Sequence, residues 1–128
     1  MKLDNLDYTV YADEKWLDFI IGQIIANSIK YKEDALTLWF SASENQENII
    51  LSIRDNGIGI SESDIGRVFE KGFTGENGRA FAKSTGIGLY LCKELCNKMY
   101  LGLEAQSSVG NGTTIHIIFP KDRQSFLQ

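Results

Sequence analysis

Gly86 and Gly88 stand on either side of Ile87, directly before the apolar, helix-like run of "STGIGLYLCKEL". Glycine is a poor helix residue, by about 1 kcal/mol against alanine at an interior position. It is useful at a helix start when an anion must come closer to the backbone than a side chain allows. Unpaired N–H groups and the helix dipole both point at such an anion. The preceding stretch adds Lys71, Arg79 and Lys83 as cations. Taken singly, each of these is more often a solvated charge.

A second group is "RDNGIGIS". Asp55 ends an apolar strand pattern, and Gly57 and Gly59 follow at the bend. A carboxylate buried at a strand end can accept a hydrogen bond from an amino group. The glycines let a flat ring lie against the main chain. Alone, "DNG" is ordinary turn chemistry.

The third group lies on one helix. At about 100° per residue, Asn27 sits near +40° from Gln23, Lys30 near −20° and Tyr31 near +80°. Amide, cation and aromatic ring share one edge, beside the apolar stripe that faces the core. That edge suits a polar ligand with a flat part. Asparagine is a poor helix-interior residue, so Asn27 amid apolar neighbours asks for a role.

These groups need elements to position them. "LDYTVYA" (6–12) reads as a strand. Asp13 caps a helix whose apolar positions are Leu17, Ile20, Ile21, Ile24, Ile25 and Ile29. "ALTLWFSAS" and "NIILSIRD" flank the turn "ENQE" and predict a hairpin. "SESDIGRVF" opens a short helix, with Ser61 and Asp64 in a capping-box pattern. Lys71 to Thr85 is rich in glycine and polar residues and reads as a long movable loop. Ile87 to Met99 predicts a helix with Ile87, Leu91, Leu95 and Met99 on its inner face. "LGLEAQSS" and "TTIHIIF" predict two strands around the turn "VGNG", the second stopped by Pro120. "KDRQSFLQ" reads as a frayed terminus. The expected architecture is a mixed, largely antiparallel sheet with helices on one face. Eight of the twelve glycines fall between Gly57 and Gly88, which places the functional surface there.

Composition narrows the field. The chain has 128 residues, 43% apolar and 23% charged, with net charge −4. It reads as one domain, residues 1–128. The acidic balance argues against nucleic acid or an anionic membrane as main partner. No apolar run approaches the roughly 20 residues of a membrane span, and the start lacks a signal-peptide core. Cys92 and Cys96 read as reduced core residues of a cytosolic domain. His116, the only histidine, is too little for a metal site with them.

Each group is weak alone; their order is specific. "FIIGQIIANSIKY", "RDNGIGI", "VFEKGF", "STGIGLYL" and "GNGTTIHI" resemble, in sequence, the N, G1, F and G2 boxes and the closing glycine motif of the ATP-binding catalytic domain of bacterial sensor histidine kinases. That domain belongs to a superfamily with gyrase subunits, mismatch-repair proteins and heat-shock chaperones. The resemblance covers about Val10 to Phe119 and implies a two-layer α/β sandwich of the Bergerat type. It implies ATP and Mg²⁺ as cofactors. By position, Asn27 would hold Mg²⁺, with Gln23 a further candidate ligand, and Lys30 would reach a phosphate; these three form the catalytic edge. Tyr31 would lie beside the nucleotide. Asp55 would bond the adenine amino group, with Gly57, Gly59 and Ile60 shaping the pocket and Thr113 touching adenine. Gly86, Gly88 and Leu89 would give N–H groups to phosphates, with Thr85, Ile87 and the loop cation Arg79 among the contacts. Phe69 and Phe73 would anchor the lid hinge.

Two departures matter. Gln23 stands where most sensor kinases have asparagine and the superfamily's ATPases have a glutamate base. Glutamine offers an oxygen but takes no proton, which implies slow ATP hydrolysis. The phosphoacceptor histidine is missing, because His116 lies in a strand pattern. The resemblance therefore implies the cytoplasmic catalytic domain of a longer, membrane-anchored sensor, without membrane or nucleic-acid contact of its own. Its partners would be its own dimerisation and phosphoacceptor helices and a response regulator. "EKGFTGENGR" with Gln23 is similar to the small Gram-positive-type kinases that respond to cell-wall-active peptides. The alternatives are an anti-sigma-type serine kinase and a nucleotide-gated binding module without transfer activity. A hydride-transfer enzyme is disfavoured, since the third glycine and βαβ setting of the dinucleotide fingerprint are absent.

Overall fold

Asn45 fixes the central hairpin. Its Oδ1 accepts the N–H groups of Glu47 (2.9 Å) and Asn48 (2.8 Å). The computed structural model describes residues 2–4, 8–32, 34–71 and 88–122. Its strands are β1 (Lys2–Asp4), β2 (Leu38–Glu44), β3 (Asn48–Asp55), β4 (Gly102–Ser107) and β5 (Thr113–Pro120). They form one sheet in the order β1-β2-β3-β5-β4. β1 runs parallel to β2, and the other pairs are antiparallel. The helices are α1 (Glu14–Lys30), α2 (Glu62–Ile65) and α3 (Gly88–Lys98).

Register sorts the side chains. Leu38 pairs with Asp55 and Phe40 with Ile53, while Ile53 pairs with Ile115. These residues face the helices and close a core with Ile20, Ile24, Cys92, Cys96, Ile117 and Phe119. Their neighbours Trp39, Arg54, Thr114 and His116 point to the other face, as strand alternation requires. The result is the expected α/β sandwich.

Asp13 caps α1, its Oδ1 accepting the Trp16 N–H at 3.1 Å. Leu17, Ile20, Ile21, Ile24 and Ile25 pack inward. Ile29 does not: it is 50% exposed, because it lies about 40° beyond Ile25 around the helix, outside the packed arc. α3 is also rotated from the expected face. Cys92 and Cys96 are fully buried and Leu91 is 39% exposed. The small thiols let α3 approach α1 closely, with Cys92 Sγ 3.8 Å from the Ile20 carbonyl. Leucine at those positions would hold the helices apart.

Three further expectations are corrected. Residues 8–12 are not strand, and the sheet edge is the earlier Lys2–Asp4. Val10 and Ala12 pack against the core from an irregular segment, so their alternation reflects burial without a ladder. Ser61 takes the N-cap conformation of α2 but makes no capping bond; its hydroxyl meets Ser63 Oγ at 3.1 Å. The C-terminal stretch begins anchored, since Lys121 N–H bonds the Glu47 carbonyl at 2.8 Å and its Nζ lies 2.7 Å from Glu44. The predicted lid, 72–85 within it, lies outside the described residues. Among those described, no helix is long and apolar enough to cross a membrane.

Candidate functional site

Asp55 is the meeting point of three elements. It ends β3 at the centre of the sheet and is 7% exposed. Its Oδ1 accepts the N–H groups of Gly57 (2.9 Å) and Thr113 (3.0 Å). Its Oδ2 accepts the hydroxyl of Ser28 at 2.8 Å. A buried carboxylate needs such donors to stay satisfied. An ionised carboxylate can accept about four hydrogen bonds, so Oδ2 keeps capacity for a ligand N–H.

The loop after β3 is pressed against the end of α1. Ile58 N–H donates to the Tyr31 carbonyl at 3.1 Å. A Cβ on Gly57 would come within 2.8 Å of that same oxygen. Gly59, at φ +80°, passes so close to the Ser108 carbonyl that a side chain there would collide with it. Gly112, at φ +74°, packs in the same way on the Asp55 carbonyl, which lets β5 start beside the site. Asn56 ties the loop outward, accepting from Thr37 N–H (2.8 Å) and donating to the Ala35 carbonyl (3.1 Å).

Ser107 closes the other wall. Its Oγ accepts from Ile60 N–H at 2.7 Å and donates to the Gly112 carbonyl at 2.7 Å. With that proton engaged, the Thr113 hydroxyl donates to Ser107 Oγ across 2.8 Å. Ile60 and Thr113 thus lie on two sides of one small network. Leu89 and Phe69 are half-buried against the core, and Lys93 Nζ sits 5.9 Å from the Phe69 ring.

The polar edge of α1 adjoins α3. Gln23 Oε1 lies against Gly88, where any Cβ would overlap it. Gln23, Asn27 and Lys30 are all half-buried. Lys30 Nζ stands 5.1 Å from the Tyr31 ring, and burial lowers its pKa below the usual lysine value. Tyr31 ends the helix, its N–H returning to the Asn27 carbonyl at 3.2 Å. An acceptor pocket and a cationic amide edge therefore both lie along one short segment, 23–31. Phe73, Arg79, Thr85, Gly86 and Ile87 lie outside the described residues.

Sequence reading missed Ser28, Ser107 and Asn56. Ser28 carried a signal, a hydroxyl at an inward position between Ile24 and the helix end. Ser107 and Asn56 carried none, because their roles come from loops joined across the sheet. His116 is remote from this site, on the other sheet face, bonded to Ser52 Oγ (2.7 Å) and Gln106 Oε1 (3.0 Å). Among the described residues no group of three His, Cys, Asp or Glu could hold a metal. A cation here would rest on amide oxygens and on its ligand's own oxygens, which the Gln23–Asn27 edge and a hard ion such as Mg²⁺ fit.

The chain resembles known proteins along nearly its whole length. It is 44% identical over 116 residues to the sensor histidine kinase YxdK of Bacillus subtilis, covering 88% of this chain and 35% of that protein. It is 40% identical over 116 residues to the sensor protein kinase GraS of Staphylococcus aureus (strain N315), covering 91% and 33%. The chain thus spans about a third of the length of these relatives. Its fold matches a mycobacterial sensor histidine kinase, MprB, with TM-score 0.81 at 22% identity, covering 93% of this chain and 81% of that one. It also matches the catalytic domain of histidine kinase ThkA, with TM-score 0.75 at 19% identity over 94% and 80%. Residues 12–123 match the family described as histidine kinase-, DNA gyrase B- and HSP90-like ATPases, and the chain belongs to that family.

Proposed function

We propose that the chain binds ATP with Mg²⁺ and donates the γ-phosphoryl group to a histidine on a separate helical segment of a sensor kinase. The observation that carries this reading is Asp55, a buried carboxylate held by three donors with acceptor capacity left over. A purine amino group suits that acceptor. The glycines around it admit a flat ring, and the Gln23–Asn27–Lys30 edge suits the phosphates.

Each residue has a task. Asp55 reads the adenine amino group, between the loop of Gly57, Gly59 and Ile60 and the strand start at Thr113. Tyr31 flanks the nucleotide. Asn27, assisted by Gln23, would hold Mg²⁺ by its amide oxygen. That ion, when bound, supplies positive charge to the phosphate oxygens. Lys30 adds a cation, and Gly88 and Leu89 begin a helix whose N–H groups face an anion. Phe69 supports the lid base; Arg79, Thr85, Gly86 and Ile87 complete the phosphate contacts and Phe73 the hinge. The work of such a site is positioning and charge neutralisation. A ring nitrogen of the acceptor histidine bonds to the γ-phosphorus as the bond to the β–γ bridging oxygen breaks. ADP leaves, and the other ring N–H proton passes to solvent. Gln23 cannot serve as base for water, so hydrolysis stays slow. The parent is read as a membrane-anchored sensor of cell-wall-active peptides that passes its phosphoryl group to a response regulator.

The test uses γ-labelled ATP, this chain, and the histidine-bearing segment of the full-length kinase added separately. Label should appear on the segment and not on the chain. Stoichiometric label on the chain itself, or none on the segment, overturns the reading.

A further inference from the structure

α1 is apolar on two sides, and among the described residues one of them is exposed. Leu17, Ile20, Ile21, Ile24 and Ile25 pack onto the sheet. On the far side Trp16 is 36% exposed, Phe19 38% and Ile29 50%. Gly22 and Ala26 are exposed between them. At about 100° per residue, with Trp16 at zero, Phe19 lies near −60°, Ala26 near −80°, Gly22 near −120° and Ile29 near −140°. Ile24, on the packed side, lies near +80°. The stripe runs about 20 Å along the helix, and its arc holds two charges, Lys15 in the first turn and Lys30 in the last. A solvated helix face is ordinarily polar.

Among the described residues nothing inside the domain requires a glycine at position 22. A Cβ there would meet nothing within 4 Å. Glycine nevertheless costs about 1 kcal/mol against alanine in a helix interior. With Ala26 one turn later, it leaves a notch between Phe19 and Ile29 where another backbone could come close.

The stripe borders the phosphate edge. Gln23, Asn27 and Lys30 lie near −20°, +20° and −40° on the same scale. On one side of that edge stands the packed face, with Gln23 Oε1 against Gly88. Phe19, Ala26, Gly22 and Ile29 form the other side, and Trp16 lies in line with the edge toward the start of the helix. A histidine attacking a phosphoryl group held at the edge must come to within about 3–3.5 Å of it. The helix that carries it can approach over the stripe, where Phe19, Gly22, Ala26 and Ile29 are exposed. The chain spans 35% of the sensor kinase relative, so such a protein has ample further length to supply that helix.

We propose that Trp16, Phe19, Ala26 and Ile29 form the docking surface for the phosphoacceptor helix of the full-length kinase, with Gly22 and Ala26 at the point of closest approach. This rests on the phosphoryl-transfer reading above and names how the acceptor is presented to that site. The occupant is an amphipathic helix that lays apolar side chains on the stripe while its histidine faces the edge.

Trp39→Phe leaves Trp16 as the single tryptophan and a reporter within the stripe. Adding the separately expressed histidine-bearing segment should shift Trp16 emission to the blue, saturably. Phe19→Asp should abolish that shift and raise KM for the segment at least tenfold, with the Kd of a fluorescent ATP analogue within twofold of wild type. Ala26→Leu, which fills the notch without adding charge, should raise the same KM. An unchanged KM in both variants overturns the proposal. So does a result in which Phe19→Asp dissociates a dimer of this chain, or a complex with anionic vesicles, while transfer is unaffected. Failure of the wild-type chain to bind the ATP analogue would instead overturn the functional reading.

Discussion

The Ser28 hydroxyl donates to Asp55 Oδ2 at 2.8 Å, joining the inner side of α1 to the end of β3. The bond orients Oδ2 while Gly57 and Thr113 hold Oδ1. Ser28→Ala should leave the carboxylate its two backbone donors and the fold intact, at a cost of about 1 kcal/mol. ATP affinity should fall roughly five- to tenfold, because Oδ2 loses its orientation. Calorimetric titration with a non-hydrolysable analogue would check this; an unchanged affinity would show that Ser28 serves stability alone.

Asp55→Asn changes the chemistry and keeps the shape. An asparagine oxygen can still accept from Gly57 and Thr113. The amide nitrogen then replaces Oδ2, turning an acceptor into a donor that faces a ligand amino group. Two donors facing one another leave both unpaired, at a cost of about 1–3 kcal/mol. The loss of ATP affinity should be at least tenfold, while any affinity for GTP, which lacks that amino group, should hardly move. Equal loss for both nucleotides would contradict purine reading by Asp55.

Gln23 and Gly88 should behave as one unit. Gly88→Ala places a methyl group where Gln23 Oε1 lies. The amide is the end of a flexible side chain, so the fold should lose little and the amide should swing aside. If Gln23 acts at the phosphates through that oxygen, Gly88→Ala and Gln23→Ala should lower transfer similarly. The double variant should be no worse than either, a non-additivity a double-mutant cycle measures. Additive losses would separate their roles.

What was legible in the sequence followed short-range rules. The hairpin at "ENQE", the Asp13 cap and the Asp55–Gly57–Gly59 bend each rest on residues a few positions apart. The errors came where tertiary packing chose between similar patterns. Ile29 and Leu91 carry the helical period of a core residue, yet α1 and α3 meet through Ile20 and Cys92, which turns both outward. Residues 8–12 alternate as a strand would, but the ladder position beside β2 is taken by Lys2–Asp4. Ser107 was invisible because its partners, Ile60 and Gly112, lie on different loops. Loop-to-loop bonds have no period to read.

Lys30 gives a pH signature. Burial lowers its pKa, so the charged form is disfavoured in the free folded chain relative to the unfolded one. The unfolded state binds more protons, and Lys30's contribution to stability rises with pH from its folded pKa up to about 10.5. Bound phosphate favours the charged form and reverses the shift. Nucleotide affinity should therefore hold below the free chain's Lys30 pKa and fall as pH rises through it. Lys30→Met should raise the Tm of the free chain at neutral pH, flatten the alkaline fall and shrink the nucleotide-induced rise in Tm. Thermal scans from pH 7 to 10, with and without the ATP analogue, would show all three.

The cysteines report on the joint between α1 and α3. Burial pushes the Cys92 thiol up to about 12 and Cys96 to about 11. The thiolate is the reactive form, and both sulfurs are fully buried. At pH 8 a disulfide reagent should label neither in the folded chain and both after denaturation. Labelling under native conditions then measures how often α3 lifts from α1. The proposed nucleotide touches Asn27 on one helix and Gly88 on the other, so it binds only while they are together. By mass action, saturating analogue should slow labelling in proportion to the fraction of chain bound. Labelling that proceeds at the same rate with and without analogue would mean that the nucleotide does not bridge the two helices, and the phosphate end of the site would have to lie elsewhere.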